Sequence, residues 1–121
     1  MDRERLDEAL EVLWLLDEEG CRELERFRLS SDDPDVDSLT TALINEGLMR
    51  VEGTSVRLTE NGRSLARGLV RRHRLAERLF TDVFELKDDL VETDACKMEH
   101  ILSEELTDSV CTFLGHPPTC P

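Results

Sequence analysis

The chain has 121 residues, a net charge of −13 and a hydrophobic share of 39%. This length suits one ordinary domain or about one and a half small ones, and the apolar residues support a lean core. No apolar run reaches the roughly 18 residues of a membrane-spanning helix. Four cysteines, without a dense framework or an apolar leader, predict a reducing, cytoplasmic setting. The acidic balance argues against indiscriminate nucleic-acid binding.

Positive charge is concentrated in one stretch of this acidic chain. Residues 51–80 carry seven arginines against three glutamates. Such a run has two readings. It is either a solvated helix face that pairs with the many acids, or a surface that contacts phosphates.

The N-terminal half predicts three helices and a hairpin. Apolar residues at helical spacing predict a first helix over roughly residues 3–19, ended by Gly20. A short second helix is predicted from Arg22 to Leu29. A third begins with Pro34 at its first position and ends at Gly47. Two helices joined by a tight polar turn indicate a helix-turn-helix. Two alternating runs, 48–52 and 56–58, then predict a β-hairpin wing.

The C-terminal half predicts three more helices. Thr59 is expected to cap a long helix over about residues 60–84, and residues 88–102 form the next one. Ser103 is expected to cap a last helix, which Gly115 ends. Residues 116–121 form a stiff, proline-rich tail.

A group of potential metal ligands lies at residues 96–100. On a helix, side chains three and four apart share a face, so Cys96, Glu99 and His100 converge. A thiolate, a carboxylate and an imidazole make half of a divalent transition-metal site. The alternative is a half-buried helix with a core cysteine and a solvated Glu–His pair.

Two further pairs show the same spacing. His73 and Glu77 are four residues apart, and Glu8 and Glu11 are three apart on the first helix. Three helices can therefore each offer ligands to one cleft. For Glu8 and Glu11 the alternative is a charged face on a very acidic helix.

Three motifs give the chain a family resemblance. They are Leu-Thr-Glu-Asn-Gly-Arg at 58–63, His-Arg-Leu-Ala-Glu-Arg at 73–78 and Ala-Cys-Lys-Met-Glu-His-Ile-Leu-Ser-Glu-Glu at 95–105. Together they resemble the diphtheria-toxin-repressor family of iron- and manganese-dependent regulators. The resemblance covers nearly the whole chain and is strongest over residues 58–105. The segment 115–121 is similar to the junction where longer members continue into an SH3-like domain.

The resemblance implies a set of metal ligands. Cys96, Glu99 and His100 match the primary site, and His73 and Glu77 match a neighbouring site. The remaining matches are weaker: Glu8 and Glu11 fall at ligand positions of the first helix, and Glu92 replaces a further histidine. Because thiolate favours softer metals and carboxylates favour harder ones, Fe(II) is expected first and Mn(II) next. Zn(II) is possible in vitro.

The resemblance also implies a homodimer that binds a double-stranded DNA operator, with no membrane partner. The expected DNA contacts are Pro34, Ser38, Thr40, Thr41, Arg57 and Arg63. In the family, the second helix of the helix-turn-helix enters the major groove, and here this is the third predicted helix. Four acids lie around its start and would repel phosphates; they are Asp32, Asp33, Asp35 and Asp37.

The predicted fold is mostly α: a winged helix-turn-helix over residues 1–62, then a helical metal-binding and dimerisation segment over 63–121. The predicted function is a metal-dependent transcriptional repressor of metal-ion homeostasis, in which metal joins the first helix to the later ones and raises DNA affinity. One alternative is a dimeric metal-binding module that has lost operator binding and acts through protein partners. Another is a winged-helix adaptor without metal.

Two remaining features carry less weight. Cys111, His116 and Cys120 could form a second metal cluster, but a plain tail is the favoured reading because paired cysteines are missing. An enzyme is not expected, since no phosphate-binding loop, zinc-protease motif or nucleophile elbow occurs.

Overall fold

The structure is a computed structural model that describes residues 2–115, the side chains of Asp88 and Asp89 excepted. It contains two compact units, the first running through Arg67 and the second beginning at Gly68. The predicted fold class, mostly α with a winged helix-turn-helix, is confirmed. The predicted domain boundary after residue 62 stays a prediction.

Three helices build most of the first unit: α1 (Arg3–Glu18), α2 (Leu24–Ser30) and α3 (Val36–Asn45). The carboxylate of Asp2 accepts a hydrogen bond from the backbone N–H of Glu4 at 3.2 Å and so caps α1. The apolar stripe of α1 is buried as its spacing predicts. It packs over three almost fully enclosed side chains, Phe27, Leu39 and Leu43.

The start of α3 differs from the prediction. Pro34 was placed at the first helical position, which is wrong, because it lies in the turn before the helix and Asp35 is the N-cap. The carboxylate of Asp35 accepts from the Ser38 backbone N–H at 3.2 Å and from the Ser38 hydroxyl at 2.7 Å. Since Asp35 satisfies an N–H group that the helix start leaves open, the helix begins after it.

The wing is an antiparallel hairpin of β1 (Met49–Glu52) and β2 (Ser55–Leu58). Met49 lies opposite Leu58, and Arg50 lies opposite Arg57. Met49 and Val56 are buried, whereas both arginines are exposed on the other face. The segment before α2 joins this sheet, because the Val56 backbone N–H donates to the carbonyl of Arg22 at 2.8 Å.

Helix α4 (Glu60–Arg78) follows the wing directly. Its predicted cap is confirmed: the Thr59 hydroxyl accepts from the Gly62 backbone N–H at 3.0 Å. Gly62 is buried, and a Cβ atom on it would overlap the carbonyl oxygen of Leu48. Only glycine allows this close approach of helix and loop.

The second unit contains the rest of α4, a π-helical turn (Leu79–Val83), α5 (Asp88–Met98) and α6 (Glu104–Phe113). Its core combines Ala76, Phe80, Val91 and Ala95. The long helix predicted to residue 84 therefore ends in a π-helical turn. None of the described helices combines the length and apolar character that a bilayer crossing needs.

The helix predicted over residues 88–102 is shorter than expected. It ends at Met98, and residues 99–101 form a turn. Ser103 then begins α6: its backbone is extended and its hydroxyl accepts from the Leu106 N–H at 3.1 Å. The predicted cap of α6 is confirmed.

Candidate functional site

His73 lies at the centre of the second unit's polar interior. It projects from α4 and is 6% exposed. Its Nδ1 lies 3.2 Å from Glu99 Oε1. Its Nε2 lies 2.6 Å from Glu77 Oε1 and 3.3 Å from Glu92 Oε2. The two nitrogens of one ring therefore face two different groups of acids.

The first donor set is His73, Cys96 and Glu99. One ligand atom from each lies within 4.8 Å of the others. Cys96 is half-buried and Glu99 is fully buried, with 0% exposure. The turn that carries Glu99 is held by Arg72, whose Nε donates to the Glu99 carbonyl oxygen at 2.7 Å. The set retains its helical spacing although α5 ends at Met98.

The second donor set is His73, Glu77 and Glu92, again within 4.8 Å. Burial raises the pKa of Glu77, and the facing His73 only partly opposes this. Glu92 is not among the predicted ligands. Its signal in the sequence is helical spacing, because Glu92 and Cys96 are four residues apart on α5 and share a face.

The chemistry of these donors fits a divalent transition metal. Three carboxylates face the His73 imidazole; they belong to Glu77, Glu92 and Glu99. The Glu99 carboxylate is fully buried, and because burying a charge is expensive, a cation bound at these donors would stabilise it. Imidazole, thiolate and carboxylate together suit iron, manganese and zinc.

The other predicted ligands are placed as follows. His100 is half-buried in the turn after α5, with a ring nitrogen within 4.8 Å of a Glu99 carboxylate oxygen. Glu8 and Glu11 are half-buried on α1 in the first unit. Their ligand roles stay predictions. Cys111 is buried on α6, whereas His116 and Cys120 lie outside the described residues.

Three of the four acids near α3 form hydrogen bonds or an ion pair within the first unit. Arg5 donates to both oxygens of Asp33, at 2.8 and 2.7 Å. Asp37 forms an ion pair with Arg28, and Asp35 caps α3. The hydrogen bond from Arg5 lowers the pKa of Asp33. The hydrogen bonds from Ser38 lower that of Asp35. Two of the four acids, Asp33 and Asp37, thus have arginine partners, and a third, Asp35, serves as a helix cap.

The predicted DNA contacts fall into two groups. Pro34, Ser38, Arg57 and Arg63 are exposed. The two threonines of α3 bond back to their own helix: Thr40 donates to the Val36 carbonyl at 2.7 Å, and the exposed Thr41 donates to the Asp37 carbonyl at 3.1 Å.

Comparisons with known proteins agree with this architecture. The family profile described as "iron dependent repressor, metal binding and dimerisation domain" matches residues 59–121. The iron-dependent repressor IdeR of Mycobacterium tuberculosis is 38% identical over 116 residues, covering 93% of this chain and 50% of the relative. The diphtheria toxin repressor of Corynebacterium diphtheriae is 37% identical over 101 residues, covering 80% of this chain and 45% of the relative.

Solved structures agree as well. The manganese regulator SloR superposes with a TM-score of 0.80 at 25% identity, over 96% of this chain and 56% of SloR. A manganese-dependent transcriptional repressor in complex with manganese superposes with a TM-score of 0.77 at 27% identity, over 93% of this chain and 53% of the repressor chain.

The fold thus defines a winged-helix protein with a helical C-terminal unit. The chain belongs to the diphtheria-toxin-repressor family of iron- and manganese-dependent regulators. It spans about half the length of the curated relatives that it matches.

Proposed function

We propose that this protein is a metal-dependent, DNA-binding transcriptional repressor of metal-ion homeostasis that acts as a homodimer in the cytoplasm. The observation that carries the proposal is the fully buried Glu99 carboxylate beside His73 and Cys96. A buried acid of this kind, with sulfur and nitrogen donors, is suited to a metal rather than to folding alone.

The proposed ligands are the predicted ones together with Glu92. The predicted ligands are Cys96, Glu99, His100, His73, Glu77, Glu8 and Glu11. Fe(II) is proposed first because the Cys96 thiolate favours a softer metal, with Mn(II) next and Zn(II) as an in vitro substitute. When bound, the metal would supply positive charge that neutralises the surrounding carboxylates. Affinity should fall at low pH because the ligands must lose their protons.

DNA binding is proposed through α3 and the wing. The internal pairing of Asp33 and Asp37 with arginines supports this, since these acids present less uncompensated charge. The exposed Arg57 and Arg63 are the proposed phosphate contacts. Such contacts make the affinity fall steeply with salt concentration.

Dimerisation is proposed through the second unit. Several of its large apolar side chains are exposed, among them Ile101 at 76%, Phe113 at 69% and Leu106 at 51%. Apolar surface of this kind marks an interaction site. A two-fold dimer would present two reading helices to two half-sites.

The test is an anisotropy titration of the DNA upstream of the protein's own gene, at fixed salt and without oxygen. It compares chelator with Fe(II), Mn(II) and Zn(II), for wild type, Glu99→Gln and the control Glu104→Gln. The proposal expects metal-dependent binding in wild type and control, and its loss in Glu99→Gln. Binding that ignores both metal and the Glu99 substitution would refute it.

A further inference from the structure

A group of four arginines surrounds a single carboxylate at the base of the wing. The cleft between them has a volume of about 230 Å³. We call these residues the arginine cluster; they are Arg22, Arg50, Arg57 and Arg63, with Asp17 between them. The chain as a whole has a net charge of −13, but these four positive groups and one negative group make this cleft locally positive.

Two members of the cluster repel each other. Arg50 and Arg57 are directly opposite on β1 and β2, and both are exposed. Like charges at facing positions of a hairpin destabilise it. Neither arginine has an acidic neighbour at ion-pair distance among the residues that the structure describes. A bound anion would remove this repulsion.

The other two members are held in place. Arg22 Nε donates to Asp17 Oδ1 at 3.0 Å, and Arg63 Nη2 donates to Asp17 Oδ2 at 3.1 Å. The Arg63 guanidinium also lies 5.8 Å from the centroid of the Trp14 ring, a cation–π contact. Burial would raise the pKa of Asp17, but these hydrogen bonds outweigh it and the pKa is lowered. Asp17 therefore stays charged and orients two guanidinium groups.

We propose that the arginine cluster binds a phosphate group. Guanidinium forks match phosphate oxygens and keep their charge at any physiological pH. Three uncompensated charges favour a multivalent anion over a carboxylate. The cleft is smaller than the roughly 300 Å³ at which drug-sized pockets begin, so it suits one phosphate rather than a large ligand. The phosphate belongs either to the DNA backbone or to a free phosphate compound.

The test measures both sources on the metal-free full chain. Inorganic phosphate and pyrophosphate are titrated at constant ionic strength, with binding read by calorimetry and by the rise in unfolding temperature. A duplex of random sequence is titrated in parallel over a range of salt concentrations. Wild type is compared with Arg50→Gln/Arg57→Gln and with the control Arg26→Gln/Arg67→Gln, which removes two exposed arginines outside the cluster.

Two outcomes support the proposal. Phosphate affinity that falls at least tenfold in the cluster variant, but not in the control, identifies free phosphate as the ligand. Undetectable free-phosphate binding, with a salt slope for DNA that falls by roughly 1 to 2 units in the cluster variant alone, identifies the DNA backbone. If the cluster variant equals the control in both arms, the proposal is overturned.

The DNA arm rests on the proposed function, so the two failures must be separable. A Mn(II) isotherm on the same variants provides this, since no cluster residue is among the proposed metal ligands. Intact metal binding with a failed phosphate test leaves metal regulation standing. If wild type binds no metal but does bind phosphate, metal regulation fails and the phosphate site stands. The cluster variant should unfold no earlier than wild type in phosphate-free buffer, because the Arg50–Arg57 repulsion is gone.

Discussion

Arg5 donates two hydrogen bonds to the carboxylate of Asp33, at 2.8 and 2.7 Å, although the two residues are 28 positions apart in the sequence. This pair joins the start of α1 to the turn before α3. If α3 contacts DNA as proposed, the pair reduces the negative charge that Asp33 presents to phosphates.

The Arg5–Asp33 pair predicts an acid-dependent stability difference. Because the pKa of Asp33 is lowered from 3.8, the pair stabilises the fold above that value and loses its effect as the pH falls through the folded pKa. Arg5→Gln should therefore unfold at a lower temperature than wild type near neutral pH. The two curves should converge once the pH has fallen below the lowered pKa of Asp33. Thermal unfolding from neutral to acidic pH measures this, with Arg26→Gln as the charge-matched control. A difference that grows on acidification would contradict the prediction.

The cap of α3 predicts a gain in DNA affinity. Asn caps helices about as well as Asp, so Asp35→Asn should keep the helix while removing a negative charge from the start of α3, the proposed DNA-contacting helix. We expect DNA affinity to rise several-fold and the unfolding temperature to stay near that of wild type. Fluorescence anisotropy at fixed salt measures the DNA affinity, and circular dichroism measures the unfolding temperature. Weaker DNA binding by a folded Asp35→Asn would show that α3 does not meet the phosphates.

The buried carboxylate predicts a loss of metal affinity. Glu99→Gln keeps the shape of the side chain and removes its charge, so Mn(II) affinity should fall by at least about tenfold, the lower limit seen even for groups outside the ligand sphere. The metal-free variant should fold, since a buried charge has been removed. Calorimetric titration beside Glu104→Gln measures the difference. Equal affinity in the two variants would exclude Glu99 as a ligand.

The thiol predicts a change of metal preference. Cys96→Ser replaces a soft donor with a hard one, so Fe(II) and Zn(II) affinity should fall more than Mn(II) affinity. Competition with a chromophoric chelator under anaerobic conditions gives the three constants. Cys21→Ser, in the first unit, is the control. A uniform fall for all three metals would contradict the predicted preference, and unchanged affinities would place Cys96 outside the ligand sphere.

The contact at Gly62 predicts a large stability loss from one methyl group. A Cβ there would overlap the Leu48 carbonyl oxygen, which is a backbone atom and not the end of a flexible side chain. Gly62→Ala should lower the free energy of unfolding by about 2–3 kcal/mol. Gly68→Ala meets only the flexible Arg72 side chain, 3.1 Å away, and should stay within about 1 kcal/mol of wild type. Denaturant unfolding compares them, and similar midpoints would argue against the close approach.

Local signals predicted the elements well. The apolar stripe of α1, the hairpin and the cap at Ser103 depend on neighbours within a few residues, and each is present as expected. The misplaced Pro34 shows the limit of such signals, because the better cap, Asp35, was one residue away.

Contacts between residues far apart in the chain could not be predicted from the sequence. Arg5 and Asp33, or Arg22 and the wing, meet only because the helices pack, and no spacing rule reports such a meeting. Glu92 is an intermediate case. Its helical register with Cys96 was visible, but its closeness to His73 depends on the packing of α5 against α4.

The shared ring of His73 limits how this protein can change. At the proposed metal site, a substitution at residue 92 or 96 would alter one donor set and leave the other intact, so metal preference could shift through either position in small steps. A substitution at residue 73 would remove a donor from both sets at once. Adaptation to a new metal would therefore have two gradual routes on α5 and none through the histidine of α4.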